Sequence, residues 1–317
     1  MKAVVYRKYG GPEVLQLEEI EKPVPKSKEV LVRVHAATLN RTDCANITAK
    51  PFIMRFGLGL FKPTNPIPGT DFAGTIEQIG SAVTQFKVGD RVFGFHDGGL
   101  CSHAEYMAFS EDEAIGLIPE NVGFEVAAAS LEGAHYAYNF INKVDNLKGK
   151  SVLIHGATGA IGSAGVQLCK QFEAEVTATA GSGHKKEVLK LGASRVINWQ
   201  TTDFTKDAEQ FDFVFDMVGK SSFGACKSLL KPSGIYISSE LGPNLENIPL
   251  SLFHKQVRFP YPTDRPNTVR MMAELLGNEH FSPMIDREYE VEDVSKALEY
   301  VLSGQKLGNV VLKIFRD

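Results

Sequence analysis

The feature that most constrains the fold is a glycine turn between a buried-strand pattern and a helical pattern. Residues 152–154 are continuously apolar, and residues 155–162 read His-Gly-Ala-Thr-Gly-Ala-Ile-Gly before the helical periodicity begins. In such a strand–turn–helix unit, Gly159 lets the backbone approach a pyrophosphate, and Gly162 lets the helix pack on the strand. The helix N-terminus adds unpaired N–H groups. The predicted pyrophosphate-binding residues are Ala157, Thr158, Gly159, Ala160, Ile161 and Gly162. The alternative is a tight turn without a ligand.

The end of the next strand indicates which dinucleotide binds. An enzyme that uses NAD places Asp or Glu about 20 residues beyond the turn, where it binds the ribose 2′-hydroxyl. Residues 179–186 read Thr-Ala-Gly-Ser-Gly-His-Lys-Lys and contain no carboxylate. Ser182, Lys185 and Lys186 instead offer hydrogen bonds and positive charge, which suit the 2′-phosphate of NADPH. One or two such bonds, at ~1.5–3 kcal/mol each, favour NADPH by roughly tenfold to several hundredfold. The alternative for each lysine is a solvated helix start.

The spacing of apolar residues divides the chain into two parts. Residues 1–122 form short β-type runs between glycine, proline and charged turns, which favours an antiparallel barrel-like or sandwiched β domain. From residue 123 strands alternate with amphipathic helices, which is typical of a parallel sheet covered on both faces. The fold class predicted is therefore α/β. Residues 1–122 and 265–317 are expected to form one discontinuous domain around a doubly wound domain at residues 123–264.

Individual elements follow from the same patterns. The predicted strands cover residues 1–6, 15–20, 30–39, 74–79, 104–109, 151–155, 175–180, 195–197, 211–215, 235–239 and 309–315. The predicted helices cover residues 124–140, 160–172, 185–191, 223–230, 268–276 and 291–302.

Composition narrows the choice of partner and compartment. The 34 basic and 38 acidic side chains give a net charge of −4, so no basic field for nucleic acid is expected. No apolar run approaches the ~18 residues of a membrane helix, and no secretory signal is visible, so no membrane partner is expected. The four cysteines make no C-x-x-C pair, which suits free thiols in a reducing cytoplasm.

Several further stretches carry a family resemblance. They read Pro-Gly-Thr-Asp-Phe-Ala-Gly at 68–74, Val-Gly-Asp-Arg-Val-Phe-Gly at 88–94, Leu-Gly-Ala at 191–193 and Gly-Asn-Val-Val at 308–311. With the glycine turn, they make the chain resemble the medium-chain dehydrogenase/reductase superfamily, in its zinc-free quinone oxidoreductase branch. The resemblance covers nearly the whole chain. It implies a GroES-like β-rich catalytic domain, a Rossmann domain that binds NADP, and an active site in the cleft between them.

The resemblance also shows that metal-ligand positions are altered. The first cysteine ligand of the zinc-dependent relatives corresponds to Asn40, their histidine to Thr70, and their third ligand to a position near Glu132. Neutral amide and hydroxyl groups do not replace thiolate and imidazole in a tetrahedral zinc site, so no metal is predicted. Without a Lewis acid nothing polarises an alkoxide, so quinones and conjugated carbonyl compounds are better candidate substrates than alcohols.

Roles for other residues follow from the resemblance and from the sheet. The resemblance implies that Asn40 contacts the nicotinamide ribose or a carbonyl, that Thr42 donates a proton, and that Asn309 contacts the cofactor. The alternative for Thr42 is a hydroxyl bonded to backbone. Val218 and Gly219 follow a later strand and are expected near the nicotinamide, with Gly242 placed similarly; a plain turn is the alternative. An apolar stretch is expected either to line the acceptor pocket or to pack in a core or interface: Phe52, Met54, Phe56 and Phe61.

The predicted function is an NADPH-dependent, zinc-independent oxidoreductase that transfers hydride to quinones or conjugated carbonyl compounds. The expected partner is the small-molecule acceptor, a quinone or an enone, and the resemblance suggests a homodimer through edge strands of the Rossmann sheet. Three alternatives stay open. They are a double-bond reductase for 2-enoyl thioesters or alkenals, an NADPH-binding protein without turnover, and a zinc-dependent alcohol dehydrogenase.

Overall fold

The computed structural model describes residues 1–238, 246–261 and 265–315. Packing of Cα atoms separates two compact units, Met1–Glu132 with Asp264–Asp317, and Gly133–Thr263. The first unit is therefore discontinuous in sequence and the second is one continuous segment. Within the described ranges, no helix has both the length and the apolar character needed to cross a membrane.

The first unit is mainly β-structure. Its strands are β1 (Lys2–Val5), β2 (Gln16–Glu19), β3 (Glu29–Thr38), β4 (Asp71–Ile79), β5 (Arg91–Phe95), β6 (Tyr106–Ser110) and β7 (Ile115–Leu117). Its helices before the second unit are α1 (Arg41–Thr48), α2 (Arg55–Leu58) and α3 (Phe124–Ala129), and α4 (Glu132–Ile141) begins at its boundary.

The second unit alternates strands with helices. Its strands are β8 (Ser151–His155), β9 (Glu175–Ala180), β10 (Arg195–Asn198), β11 (Phe211–Asp216), β12 (Leu230–Ser238) and β13 (Val257–Arg258). Its helices after α4 are α5 (Ala160–Gln171), α6 (Lys185–Leu191), α7 (Phe223–Cys226) and α8 (Asn247–Phe253). The chain then returns to the first unit with α9 (Arg265–Gly277), β14 (Ile285–Glu290), α10 (Val294–Leu302) and β15 (Asn309–Lys313).

Strand β3 organises the first unit. It pairs antiparallel with β4, β6 and β15, and the sheet runs in the order β14-β15-β3-β4-β5-β7. A strand with neighbours on both sides is shielded on both edges, and the apolar side chains Val30, Val32 and Val34 are fully buried. The pairing of Val311 with Thr38 brings the C-terminal strand to the end of β3. Residues just before β15 therefore lie beside the residues that follow β3.

The second unit is built on a parallel sheet of six strands in the order β10-β9-β8-β11-β12-β13. The chain moves outward from β8 to β10 and then returns to β11 on the other side of β8, so the order reverses between β8 and β11. In sheets of this kind, ligands bind outside the carboxyl ends of the strands at that reversal. The turns after β8, β9 and β11 therefore lie at the edge of the sheet where a ligand is expected.

Some predicted elements need correction. A single helix over residues 124–140 is wrong, because α3 ends at Ala129 and α4 begins at Glu132. The Ser130 hydroxyl donates to the Val126 carbonyl, a side-chain bond that competes with the helical ladder at the break. The helix expected over residues 223–230 is also too long, because α7 ends at Cys226 and β12 begins at Leu230. Strand β14 was not predicted, because its sequence Ile-Asp-Arg-Glu-Tyr-Glu is mostly polar; in the structure it is partly exposed.

Candidate functional site

The turn between β8 and α5 brings two backbone segments into close contact. Gly156 has φ +90°, a conformation that favours glycine, and a Cβ added to Gly162 would lie 2.0 Å from the Gly156 carbonyl oxygen. Only hydrogen fits there, so the first turn of α5 rests directly on the loop. The N–H of Ala157 donates to the Thr179 carbonyl and ties the loop to the end of β9.

Gly159 differs from its two neighbours in the turn. It precedes α5 in extended backbone, and a Cβ there would meet no atom closer than 3.6 Å. The space in front of Gly159 therefore lies beside the free N–H groups of the α5 N-terminus. Thr158, Ala160 and Ile161 are partly exposed at this place, whereas Ala157 is fully buried. The turn has the form of an anion cradle.

The residues predicted for a 2′-phosphate lie at the end of β9. Ser182, Lys185 and Lys186 are exposed, and no ion pair is found for either lysine among the residues described. Two further residues from the end of β10 were missed from the sequence. Asn198 Nδ2 donates to Ser182 Oγ at 3.0 Å, and Gln200 Oε1 accepts from the Ser182 N–H at 2.7 Å. They join this edge because β10 pairs in parallel with β9.

A buried carboxylate shapes the turn after β11. Asp216 accepts from the N–H groups of Gly219 and Ser221, each at 2.9 Å, and from the Tyr236 hydroxyl at 3.2 Å. Gly219 has φ +67°, so the loop needs glycine at that point. Val218 packs against Gly156, whose hypothetical Cβ would lie 2.6 Å from Val218 Cβ. Val218 and Gly219 thus adjoin the glycine turn. Gly242 lies outside the described residues.

In the first unit, Asn40 forms the centre of a buried polar cluster. Its Nδ2 donates to Thr38 Oγ1 at 2.9 Å and to Asn309 Oδ1 at 3.1 Å, and its Oδ1 accepts from Lys306 Nζ at 3.0 Å. Both amide hydrogens of Asn40 are thereby used within the unit. Asn309 lies in this cluster, and its Nδ2 donates to the Met284 carbonyl.

Glu132 forms the other half of the cluster. Its two carboxylate oxygens accept from Thr42 Oγ1 and, at 3.3 Å, from Thr70 Oγ1. Burial raises the pKa of Glu132, while the Thr42 hydrogen bond and the Lys306 charge oppose that rise. Thr42 is partly exposed and Glu132 is 5% exposed, so the hydroxyl connects the buried acid to the surface of the unit.

Lys306 is the cation of the cluster. Its ammonium group donates to Asn40 and to the Gly308 carbonyl. Burial lowers its pKa to about 8, against the attraction of Glu132. Two other acids are buried nearby: burial and the Glu132 charge raise the pKa of Asp43 well above its usual range and that of Asp71 to about 8. Asp71 accepts from the N–H and hydroxyl of Thr38, which fixes it at the end of β3.

The donor set around Asn40 does not fit a zinc ion. An amide, a hydroxyl and one carboxylate occupy the three positions that the resemblance gives to ligands, and an ammonium group lies among them. A lysine that donates into a site repels a metal cation, and Glu132 alone is a weak zinc site. Across the described ranges no group of three or more His, Cys, Asp or Glu residues is arranged to hold a metal.

The apolar stretch before β4 is not part of the core. Phe52, Phe56 and Phe61 are 60%, 75% and 87% exposed, which excludes core packing for these three side chains. Met54 is partly buried. Cys44, Cys169 and Cys226 are buried free thiols, and Cys101 is partly buried and free.

Two family models match the chain. The model described as alcohol dehydrogenase GroES-like domain matches residues 26–147, and the model described as zinc-binding dehydrogenase matches residues 191–312.

Whole-chain comparisons find similar proteins whose names describe an activity. The chain is 30% identical over 323 residues to the quinone oxidoreductase of Pongo abelii. This alignment covers 96% of this chain and 94% of that protein. It is 31% identical over 330 residues to the 2-methylene-furan-3-one reductase of Solanum lycopersicum, covering 98% of this chain and 79% of that one. The solved quinone oxidoreductase of Coxiella burnetii superposes with a TM-score of 0.89, at 26% identity and 99% coverage of both chains.

Proposed function

The chain belongs to the quinone oxidoreductase branch of the medium-chain dehydrogenase/reductase superfamily, and we propose that it is an NADPH-dependent, zinc-independent reductase of quinones or conjugated carbonyl compounds. The membership confirms the predicted resemblance and fold class, and it makes the chain an oxidoreductase with a nicotinamide cofactor. The observation that carries the finer proposal is the Asn40 cluster. It places Lys306 among the altered ligand positions.

The turn after β8 fits the pyrophosphate of such a cofactor. Gly156 and Gly162 leave no room for side chains, while the space before Gly159 is open and faces the α5 N-terminus. When bound, the reduced cofactor supplies the hydride for the reaction. The role of this chain is to hold the pyrophosphate at residues 157–162 and to place the nicotinamide half along Val218 and Gly219.

The exposed edge after β9 supports NADPH over NADH. Ser182 is held by Asn198 and Gln200, which are neutral groups, and residues 179–186 contain no carboxylate that would repel a 2′-phosphate. The ammonium groups of Lys185 and Lys186 are exposed at the start of α6 and have long side chains that can reach the phosphate. Each charge-assisted bond favours NADPH by ~1.5–3 kcal/mol.

The chemistry proposed for the first unit is proton delivery. A quinone or an enone is already electrophilic through conjugation, so its reduction needs no metal to polarise the carbonyl. The acceptor gains a negative oxygen when hydride adds, and a hydroxyl donor beside it lowers that barrier. We assign this donor to Thr42, which is the partly exposed hydroxyl of the Asn40 cluster.

The test of the proposed function is a cofactor and acceptor panel after treatment with a metal chelator. NADPH or NADH is mixed with the protein and with menadione or crotonaldehyde, and cofactor oxidation is followed by absorbance. The expected result is rapid NADPH oxidation, slower NADH oxidation and no effect of the chelator. Activity with NADH alone, or activity that needs added zinc, would overturn the proposal.

A second candidate is a reductase specific for activated double bonds. It is favoured by the 31% identity to a relative named 2-methylene-furan-3-one reductase, whose name describes an exocyclic double bond conjugated to a carbonyl. The two candidates share the cofactor site and differ only in the acceptor. A higher kcat/KM for crotonaldehyde than for menadione selects the double-bond reductase.

We also propose a cytoplasmic homodimer. Among the described residues of the second unit, β13 is the last strand of the sheet and pairs only with β12, so a second copy can pair along its other side. The four thiols are free, which suits a reducing compartment. Light scattering coupled to size exclusion measures the mass; a single-chain mass at micromolar concentration contradicts the dimer.

A further inference from the structure

The hydrogen bond between Thr42 and Glu132 joins a partly exposed hydroxyl to a buried acid. Thr42 Oγ1 donates to Glu132 Oε1, and the second oxygen of Glu132 accepts from Thr70 at 3.3 Å. The two residues are 90 positions apart, so the fold brings them together. While Thr42 gives its hydrogen to Glu132, that hydrogen points into the unit and away from any acceptor.

The proton of Glu132 therefore decides where the Thr42 hydroxyl points. When Glu132 is ionised, both of its oxygens only accept, and Thr42 must donate to it. When Glu132 is protonated, its O–H can donate to Thr42 Oγ1, and the Thr42 hydrogen is then free to point outward. A single proton on Glu132 thus converts Thr42 from an internal donor into a donor for a ligand.

The charges that face Glu132 come from several elements. Lys306, just before β15, is the cation, and it favours the ionised form of Glu132. Asp43 and Cys44 of α1 and Asp71 of β4 are the other titratable groups that interact with Glu132. Burial and the Glu132 charge raise the pKa values of Asp43 and Asp71, which disfavours the ionised forms of these two acids beside Glu132. Lys306 is the nearby cation that favours the carboxylate form of Glu132.

We propose that Glu132 is the proton reservoir of the reductase: it re-protonates Thr42 as Thr42 gives its proton to the reduced acceptor, and Lys306 positions Asn40 and stabilises the carboxylate that remains. This inference rests on the proposed function. It gives the acid at the third altered ligand position a role in proton transfer and adds Lys306 to the site as a cation.

The proton movements balance over one turnover. The acceptor carbon gains hydride from the cofactor, and the acceptor oxygen becomes negative. The O–H bond of Thr42 then breaks and its proton joins the acceptor, while the O–H bond of Glu132 breaks and its proton joins Thr42 Oγ1. Glu132 is left as a carboxylate beside Lys306. A proton from water restores the acid before the next turnover, and the acceptor has gained one hydride and one proton.

The first test removes the reservoir while the hydrogen bond stays. The amide oxygen that Glu132→Gln introduces can still accept from Thr42, so this variant keeps the shape of the site but has no acidic proton. We expect kcat to fall by about 100-fold, a typical contribution of general acid catalysis, with the Kd for NADPH unchanged. We expect the kcat of Thr42→Val to fall by a similar factor and Thr42→Ser to restore most of the rate.

A double variant distinguishes a relay from two independent structural effects. Because Glu132 and Thr42 act in series, Glu132→Gln with Thr42→Val is expected to lose no more activity than either single variant. Multiplied losses, or a Glu132→Gln variant with the kcat and pH profile of the wild type, overturn the proposal. Thermal unfolding of each variant shows whether it is folded.

The second test concerns Lys306. Removal of a nearby cation raises the pKa of an acid, so Lys306→Met is expected to move the alkaline fall in kcat to higher pH, by about one unit or more. Lys306→Arg keeps the charge, so its alkaline fall in kcat should occur at a pH close to that of the wild type. The matched control is Lys296→Met, which removes an exposed lysine paired with Asp293 and should leave the pH profile unchanged. If the alkaline fall in kcat of Lys306→Met stays at the wild-type pH or moves to lower pH, the proposed role of Lys306 is wrong.

Failure of this inference differs from failure of the proposed function. If the wild type oxidises NADPH with menadione or crotonaldehyde and Glu132→Gln does so equally well, the reservoir assignment is wrong and the reductase stands. If the wild type reduces neither acceptor while it binds NADPH, the proposed function itself is wrong.

Discussion

A Cβ atom on Gly162 would lie 2.0 Å from the carbonyl oxygen of Gly156, so α5 and the loop after β8 are in direct backbone contact. A Cβ atom on Gly159, three residues earlier, would have no atom closer than 3.6 Å. The two glycines of one turn therefore serve different purposes. Glycine is needed at 162 because the fold leaves no room for a side chain there. Glycine is needed at 159 only if a ligand lies against the backbone.

This difference predicts opposite behaviour for two alanine variants. Gly162→Ala must displace backbone, so we expect a lower thermal midpoint together with weak NADPH binding. Gly159→Ala is expected to unfold like the wild type and to bind NADPH at least tenfold more weakly, because its methyl group occupies the space proposed for the pyrophosphate. Fluorescence titration and a thermal melt measure both quantities. Gly224→Ala, whose Cβ would have 3.9 Å of clearance, is the control. Unchanged NADPH affinity in Gly159→Ala contradicts the cradle.

Specificity for the 2′-phosphate is tested at the start of α6. Lys185→Met and Lys186→Met remove positive charge from the exposed edge, so we expect the KM for NADPH to rise by about tenfold for the lysine that binds phosphate. The KM for NADH should not change, because NADH has no 2′-phosphate. Lys190→Met, later on α6, is the control. Equal effects on both cofactors would show that the lysines act on helix stability.

Asn198→Asp tests specificity for the 2′-phosphate by adding a negative charge. Asn198 Nδ2 donates to Ser182 Oγ, and a carboxylate at this position would face any phosphate bound beside Ser182. We expect NADPH binding to weaken and NADH binding to hold or improve, since a carboxylate can accept from a ribose 2′-hydroxyl. The ratio of kcat/KM values for the two cofactors measures the shift. A ratio equal to that of the wild type would place the 2′-phosphate elsewhere.

Acid stability is predicted to depend on His103. Burial lowers the pKa of His103 to about 4, and Nε2 donates to the Thr38 carbonyl at 2.8 Å, so the folded chain keeps this ring neutral. Its contribution is present above the ordinary histidine pKa of about 6.5 and is lost as pH falls toward 4. The difference corresponds to ~3 kcal/mol of unfolding free energy.

The comparison that isolates this effect is His103→Gln, which keeps a donor toward Thr38 but does not titrate. Asp71 acts in the opposite direction, because its raised pKa of about 8 costs stability as pH rises from about 4 toward 8. Urea unfolding of both proteins between about pH 7 and pH 4 should show that the free energy of unfolding falls less for the variant than for the wild type as the pH is lowered. Exposed His280→Gln is the control, and parallel curves for His103→Gln and wild type contradict the prediction.

The sequence predicts local elements better than contacts between distant segments. The bounds of β9 and α6 agree with the predicted ranges 175–180 and 185–191, because a short strand rich in β-branched residues and a short amphipathic helix are both local patterns. The glycine turn is local as well. Strand β14 lacks such a pattern, because its polar side chains are at the edge of a sheet.

The Asn40 cluster depends on contacts that no local pattern carries. The hydrogen bond from Lys306 to Asn40 spans 266 positions, and that from Thr70 to Glu132 spans 62. Family resemblance identified Asn40 and Thr42 and marked Glu132 only as an altered ligand position. Lys306 had no sequence signal beyond being a lysine two residues before Gly308. Its position beside Asn40 follows from the pairing of β15 with β3, which the sequence does not specify.

The position of β15 has a consequence for the order of synthesis. The second unit is complete in sequence once residue 263 has been made, so its sheet can form while the chain is still attached to the ribosome. The Asn40 cluster needs Lys306 and Asn309, which are made about forty residues later. The nascent protein is therefore expected to complete its second unit first and the Asn40 cluster last.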